Sequence, residues 1–244
     1  MIKAFATSDV GKAREINEDY FYISFPDDQV QLFILADGMG GYNGGEVASK
    51  LAVTTAKNYI LSNYEKSKGT KESLLDLVKN SSQYANMVVY EKSEENTDLS
   101  NMGTTLDICL AYQNKVFISH IGDSRVYRLR KDFFRKLTKD HSYVQTLVDE
   151  GKITEEESKN HPKKNMLMKA LGCTPFIEPD AMVKGFLKGD ILLMCSDGLT
   201  NMVSEEEIQQ IIKDNPTDST KLLVQRANDL GGKDNITAVI IRNE

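Results

Sequence analysis

Alternation of apolar and polar positions with a period of two runs through much of this chain. Leu106, Ile108 and Leu110 alternate with Asp107, Cys109 and Ala111, as expected of a strand whose two faces meet different surroundings. Apolar runs bounded by turn residues predict strands over 2–8, 20–25, 30–36, 104–112, 115–121, 125–130, 190–195 and 236–241. Only Gln113-Asn114 separates 104–112 from 115–121, and only Gly122-Asp-Ser124 separates that strand from 125–130. Links this short join antiparallel neighbours, so the centre of the chain is expected to be an antiparallel meander.

Helical spacing appears in four segments. It carries Val47, Leu51, Ala52, Ala56, Tyr59 and Ile60 in 44–62, and Leu74, Leu75, Val78, Ala85, Val88 and Val89 in 71–92. A capping box of Ser204 and Glu207 opens 204–213, and Leu222, Leu223, Ala227 and Leu230 mark 217–230. Long helices beside a meander predict antiparallel sheets with helices on their outer faces. The stretch 142–180 breaks the pattern. It is polar, holds two short helical segments, one capped by Thr154 and Glu157, and reads as a surface excursion or flap near a site.

Composition narrows the function. The 244 residues include only five prolines, and no linker or internal repeat divides them, which favours one domain over 1–244. A net charge of −6 and a pI near 5.3 argue against a nucleic-acid surface. Lys163-Lys164 and Arg128-Leu-Arg130-Lys131 read as solvated basic spots. No apolar run is long enough for a membrane span and none resembles a signal peptide, so a cytoplasmic protein is expected. Cys109 and Cys195 fall in apolar strands and are expected to be buried thiols.

Four aspartates stand where apolar runs break off: Asp37 in Leu-Ala-Asp-Gly38, Asp123 in Gly-Asp-Ser124, Asp197 in Cys-Ser-Asp-Gly198 and Asp234 in Lys-Asp-Asn235. Carboxylates there are costly to desolvate unless a cation meets them, and a hard divalent ion takes oxygen ligands. The loop Asp37-Gly-Met-Gly-Gly-Tyr-Asn-Gly-Gly45 lacks the lysine ending of a P-loop, and Asn43 spoils a dinucleotide fingerprint. It suits a metal ligand followed by glycines, or else a plain strand–turn–helix joint. Arg14 precedes Glu18 and Asp19 and either meets a phosphate dianion or pairs with those neighbours. His120, His141 and His161 have no zinc spacing, and of the three His141 could reach a site, so magnesium or manganese is favoured.

In chain order, Arg14-Glu-Ile-Asn-Glu-Asp19, Asp37-Gly-Met-Gly-Gly41, Gly103-Thr-Thr105, Gly122-Asp-Ser-Arg125, Ser196-Asp-Gly198 and Asp234-Asn235 resemble the metal-dependent protein serine/threonine phosphatases of the 2C type, above all the small bacterial members. The resemblance implies an α+β fold, a four-layer α-β-β-α sandwich of two antiparallel sheets flanked by helices. It implies two Mn2+ or Mg2+ ions, with Asp37 bridging them and the Gly38 carbonyl on one. Asp197 and Asp234 complete the other shell, and Asp123 with Asp197 matches a weaker third site. Asp19, with Glu18, orients metal-bound waters, and Arg14 holds the phosphate.

The implied reaction is attack of metal-activated water on phosphoserine or phosphothreonine. The implied partners are phosphoproteins, including a cognate serine/threonine kinase, met by a monomer. Met39 stands where other members carry a histidine that looks like the general acid. The rival readings are a catalytically weak regulatory or binding module of the same fold, a phosphodiesterase or nuclease with two metals, and a structural protein with turn aspartates.

Overall fold

A computed structural model describes residues 1–39, 44–95 and 97–244. In chain order its strands are β1 (Ile2–Asp9), β2 (Asp19–Ile23), β3 (Gln31–Met39), β4 (Gly103–Thr104), β5 (Leu106–Tyr112), β6 (Lys115–Ile121), β7 (Arg125–Arg130), β8 (Phe133–Lys136), β9 (Asp180–Gly185), β10 (Ile191–Cys195) and β11 (Ile236–Asn243). The helices are α1 (Gly45–Ser67), α2 (Lys71–Glu95), α3 (Tyr143–Asp149), α4 (Glu155–Lys159), α5 (Asp197–Thr200), α6 (Glu205–Asp214) and α7 (Ser219–Asp229). Two antiparallel sheets result, ordered β1-β11-β10-β7-β8 and β2-β3-β5-β6-β9, with β4 extending the pairing of β3.

Alternation along each strand sorts side chains into three apolar layers. Leu32, Ile34, Ile108 and Leu110 face outward under α1 and α2, meeting the helical stripe Ala48, Ala52, Ala56 and Ile60. Ala238, Ile240, Leu193 and Tyr127 face the opposite outer side, against Ile208, Ile212, Leu223 and Ala227 of α6 and α7. Phe33, Leu35, Cys109, Ile118, Met194, Val239 and Ile241 fill the space between the sheets. The fold is the expected α-β-β-α sandwich. Cys109 and Cys195 are buried, whereas Cys173 is exposed.

Three expectations need correction. The first is the meander, which stops at Ile121. β5 and β6 form a hairpin around Gln113 and Asn114, both at positive φ as a two-residue hairpin turn demands. Gly122-Asp-Ser124, however, does not fold the chain back on itself. It carries the chain to the other sheet, where β7 pairs with β10 and β8. Gly122 makes this corner with φ +109°, and a Cβ there would lie 2.5 Å from the Thr105 methyl.

The second correction concerns β8 and β9, which carry no clear alternation and were not expected. Both are sheet edges whose side chains are only partly buried, so neither face demands a strict apolar set. The third is the Ser204–Glu207 box, of which half forms. The Glu207 amide donates to Ser204 (3.3 Å), but its carboxylate instead accepts from Arg226 Nε (2.6 Å). At Thr154 and Glu157 both halves are present.

Candidate metal centre

At one end of the sandwich the inner face of several strands turns from apolar to polar. In one sheet the register sets Asp19 beside Asp37, and the Asp37 carbonyl accepts from the Thr105 amide. In the other sheet Ser8 pairs with Thr237, whose carbonyl accepts from the Ser196 amide. Each of these residues continues an inward series: Phe21 to Asp19, Phe33 and Leu35 to Asp37, Met194 to Ser196, Val239 to Thr237. Residues beside each other in register point the same way, so two polar rows face each other across the end of the core.

The rows are cross-linked through hydroxyls. Asn17 Nδ2 donates to Ser8 Oγ (2.8 Å), which shares a 2.7 Å bond with Thr237 Oγ1. Thr237 Oγ1 donates to Asp19 Oδ2 (2.6 Å), and Ser196 Oγ donates to the same oxygen (2.7 Å). Thr105 Oγ1 accepts from the Asp37 amide (2.9 Å) and shares a 2.8 Å bond with Ser124 Oγ. The sequence reading missed this hydroxyl lattice, although the alternation carries its signal: Ser8, Thr105, Ser196 and Thr237 stand in the inward series. Asn235, next to Asp234, ties the site to the start of the chain. Its side-chain amide donates to the carbonyls of Val10 and Ile16, and its Oδ1 accepts from the Glu18 amide (2.8 Å), which pins the 10–18 segment to β11.

The expected site residues gather at this end. Burial first, and then Asp19, Asp197, Asp123 and Asp234 in that order, push the Asp37 carboxyl well above the usual range. Burial, joined by Asp197 and Asp234, raises Asp19 to about 7. Burial with Asp197 raises Asp123 to about 8, and burial with Asp234 raises Asp197 to about 6. Asp197 opens α5 and accepts from Asn201 Nδ2 (2.9 Å). Asp234 accepts from its neighbour's amide and from Arg14 Nη2 (both 2.9 Å), so Arg14 pairs with neither Glu18 nor Asp19. Burial also raises Glu18, whose carboxylate lies at the start of α1 and accepts from the Gly45 amide.

At Gly38 and Gly198 backbone passes close against backbone. A Cβ on Gly38 would sit 2.2 Å from the Gly45 carbonyl oxygen, and one on Gly198 2.0 Å from that of Asn235. Met39 has no titratable group, and its methyl lies toward Gly103. Gly40, Gly41, Tyr42 and Asn43 of the glycine loop lie outside the described residues.

The donor set fits a hard divalent ion. It is all oxygen, its carboxylates crowd each other, and Asp19 Oδ1 is buried without a hydrogen-bond partner. Among the described residues no three acidic, imidazole or thiol groups already close a cage. Magnesium-type sites need only one or two carboxylates per ion, with water completing the shell. His120 is held away in a buried pair with Asp107, while His141 lies against Gly122, beside Asp123.

The chain is similar to known proteins in sequence and in fold. A family model described as Protein phosphatase 2C matches residues 11–231. The serine/threonine phosphatase stp of Listeria innocua is 40% identical over 96% of this chain and 93% of its own length. Among solved structures, the S. agalactiae serine/threonine phosphatase is similar with a TM-score of 0.91 and 34% identity, covering 100% of both chains. The catalytic domain of the serine threonine protein phosphatase PstP, in complex with 2 manganese ions, has a TM-score of 0.86 and 36% identity over 99% of this chain and 97% of its own.

Proposed function

This chain belongs to the protein phosphatase 2C family and is a metal-dependent protein serine/threonine phosphatase using manganese or magnesium, and on that premise we propose how its residues divide the work. Asp37 would hold both of two ions and the Gly38 carbonyl one of them. Asp197 and Asp234 would hold the other, and Asp123 with Asp197 would hold a weaker third. The observation that carries this assignment is the mutual crowding of Asp19, Asp37, Asp123 and Asp197 at one end of the core, together with the unpartnered Asp19 Oδ1. Ions bound there supply positive charge to the phosphate and acidify water near neutral pH.

Arg14 binds and orients the phosphate. Among the described residues only its Nη2 is engaged, which leaves the rest of the guanidinium for phosphate oxygens. Asp19 is held at Oδ2 by Ser196 and Thr237, so its free Oδ1 orients the attacking water and takes a proton; Glu18 assists from the start of α1. The leaving alkoxide draws no proton from position 39, where methionine stands.

The substrates are phosphoserine and phosphothreonine proteins, among them a serine/threonine kinase of the same cell. The enzyme works as a cytoplasmic monomer with one catalytic domain over 1–244 and 142–180 as its flap. Three free thiols and the enclosure of all three apolar layers within one chain support that reading, and among the described residues no helix is long and apolar enough to cross a membrane.

Manganese titration by calorimetry tests the ligand assignment. Asp37→Ala should disturb both tight ions, Asp234→Ala one, and Asp123→Ala only the weakest. Equal affinities in all three variants would overturn it. Phosphate release from the autophosphorylated kinase, and a monomer mass by light scattering, test the partner and the assembly.

A further inference from the structure

His141 is engaged on every side. Its amide donates to the Gly122 carbonyl (2.7 Å), and its ring Nδ1 faces the Gly122 amide at 3.1 Å. An amide can only donate, so Nδ1 is the unprotonated nitrogen and Nε2 carries the hydrogen. Nε2 points to Asp180 Oδ1 (3.3 Å), with Lys169 Nζ at 3.5 Å from the ring and 3.4 Å from the same carboxylate. The His141 carbonyl accepts from the Met168 amide (2.8 Å). One residue thus touches the corner that carries Asp123, the 166–169 segment of the excursion, and Asp180, where the excursion re-enters the sheet.

A second histidine backs it. His120 places Nδ1 on Asp107 (2.6 Å) and Nε2 on the Lys139 carbonyl (2.9 Å), both acceptors, so it suits the doubly protonated ring paired with a carboxylate. Its ring lies 4.8 Å from that of His141. A cation on that side, with Lys169 on the other, leaves His141 in the neutral form that can accept from Gly122. Asp180 is the opposing charge, yet burial first and then His120 and Lys169 hold the imidazole down to about 4.

We propose that His141 is a positioning residue of this phosphatase: through its backbone and Nδ1 it sets the Gly122-Asp123-Ser124 corner, and through Nε2 it ties that corner to the 142–180 excursion. Asp123 and the excursion then keep a fixed relation, so the weak third ion and the surface over the site respond to each other. The proposal rests on reading Asp123 as a ligand of that ion. Groups that orient a ligand from behind typically change metal affinity 10–100-fold, and this one acts through the corner rather than on the ion.

Two substitutions separate the two ties. His141→Phe keeps a ring against His120 but offers no acceptor. His141→Asn keeps an acceptor where Nδ1 stands and loses the reach to Asp180. Hydrogen exchange on the metal-free protein should show faster exchange at the Gly122 amide in the Phe variant and protection near the unsubstituted level in the Asn variant. Both should exchange faster over 166–180. In manganese calorimetry the Phe variant should lose roughly tenfold or more in the weakest class of sites, the Asn variant less than threefold, with the tight sites kept in both. Identical exchange and binding in the Phe variant, or no recovery in the Asn variant, would overturn the proposal. Asp123→Ala is the control for its premise: if that change leaves manganese binding untouched, the ligand reading fails while the exchange result still judges His141.

Discussion

Two aspartates seventeen residues apart in sequence, Asp123 and Asp140, lie at neighbouring points of the structure and have opposite fates. Arg125 grips Asp140 with Nε and Nη2 (3.0 and 2.7 Å to Oδ2), and Lys136 adds a contact at 3.3 Å. Burial pushes Asp140 up, but those cations pull its carboxyl below the usual range. Asp123, two residues before Arg125, is raised to about 8, because burial and Asp197 outweigh the same arginine. The contrast extends along the molecule. Asp190 holds Arg130 (2.7 and 2.6 Å) and Asp107 holds His120, whereas Asp19, Asp37 and Asp197 lean on hydroxyls, amides or nothing. Away from the crowded end of the core a carboxylate with a cation is architecture; at that end Asp234 keeps Arg14 and still stands among the acids. A group of carboxylates without one is a site that needs a cation from outside.

The largest expected effect breaks the comparison at the crowded end. Asp37→Ala should lower phosphothreonine-peptide turnover with manganese by roughly 10³-fold, the scale of losing a main electrostatic group, while the metal-free protein melts at a higher temperature because the repulsion is relieved. Unchanged turnover would put Asp37 among the architectural residues. The mirror experiment is Asp140→Ala, which strands Arg125. It should cost about 3 kcal/mol, the low end for a broken buried pair because Arg125 remains partly exposed, and lower the melting temperature by roughly 6–12 °C. Manganese affinity should stay within about threefold of the unsubstituted protein. A variant that loses metal without losing stability would reverse the two roles.

pH sharpens the same contrast. Asp19, Asp37, Asp123 and Asp197 have folded pKa values above the unfolded value near 4. The native metal-free protein therefore holds more protons than the unfolded chain between about pH 4 and 8. Their contribution to stability is present below pH 4 and is lost as pH rises through 6 to 8. Asp140 runs the other way, stabilising above the unfolded value and failing as pH falls through its lowered one. Saturating manganese favours ionised ligands, so it should make the melting temperature rise with pH where the EDTA-treated protein falls. Parallel curves with and without metal would detach the cluster from metal binding.

Smaller effects probe the edges of the site. Arg14→Ala removes a charged hydrogen-bonding fork worth about 1.5–3 kcal/mol and should raise KM for a phosphopeptide about tenfold, with kcat changed less. An unchanged KM would remove Arg14 from the substrate. Asp123→Ala should matter least, lowering kcat threefold or less at saturating manganese and more at low manganese, on the order of the 10-fold affinity change of a weak ligand.

Much of this was legible in the chain. The series Phe33, Leu35, Asp37 and Val239, Thr237 record in sequence the inner face of the sheets and the end at which it turns polar, because a side chain's face follows from counting by two. Helices α1, α2, α6 and α7 were legible because a long amphipathic stripe is redundant. Their ends were set by capping and packing, and α1 runs five residues beyond its apolar pattern, to Ser67. The edge strands β8 and β9 were not legible, since partial burial imposes no strict pattern.

The sequence by itself determined the long helices, the inner strands, the inward alternation and the identity of the acidic residues, since these depend on neighbours along the chain. Only the tertiary structure decided which aspartates meet a cation. That depends on partners far away in sequence, as with Arg14 and Asp234, 220 positions apart. It also decided that Gly122 turns a corner between sheets instead of closing a hairpin. A link's length limits where a chain can go, but the contacts waiting at its far end, here β10 and β8 for β7, settle where it goes.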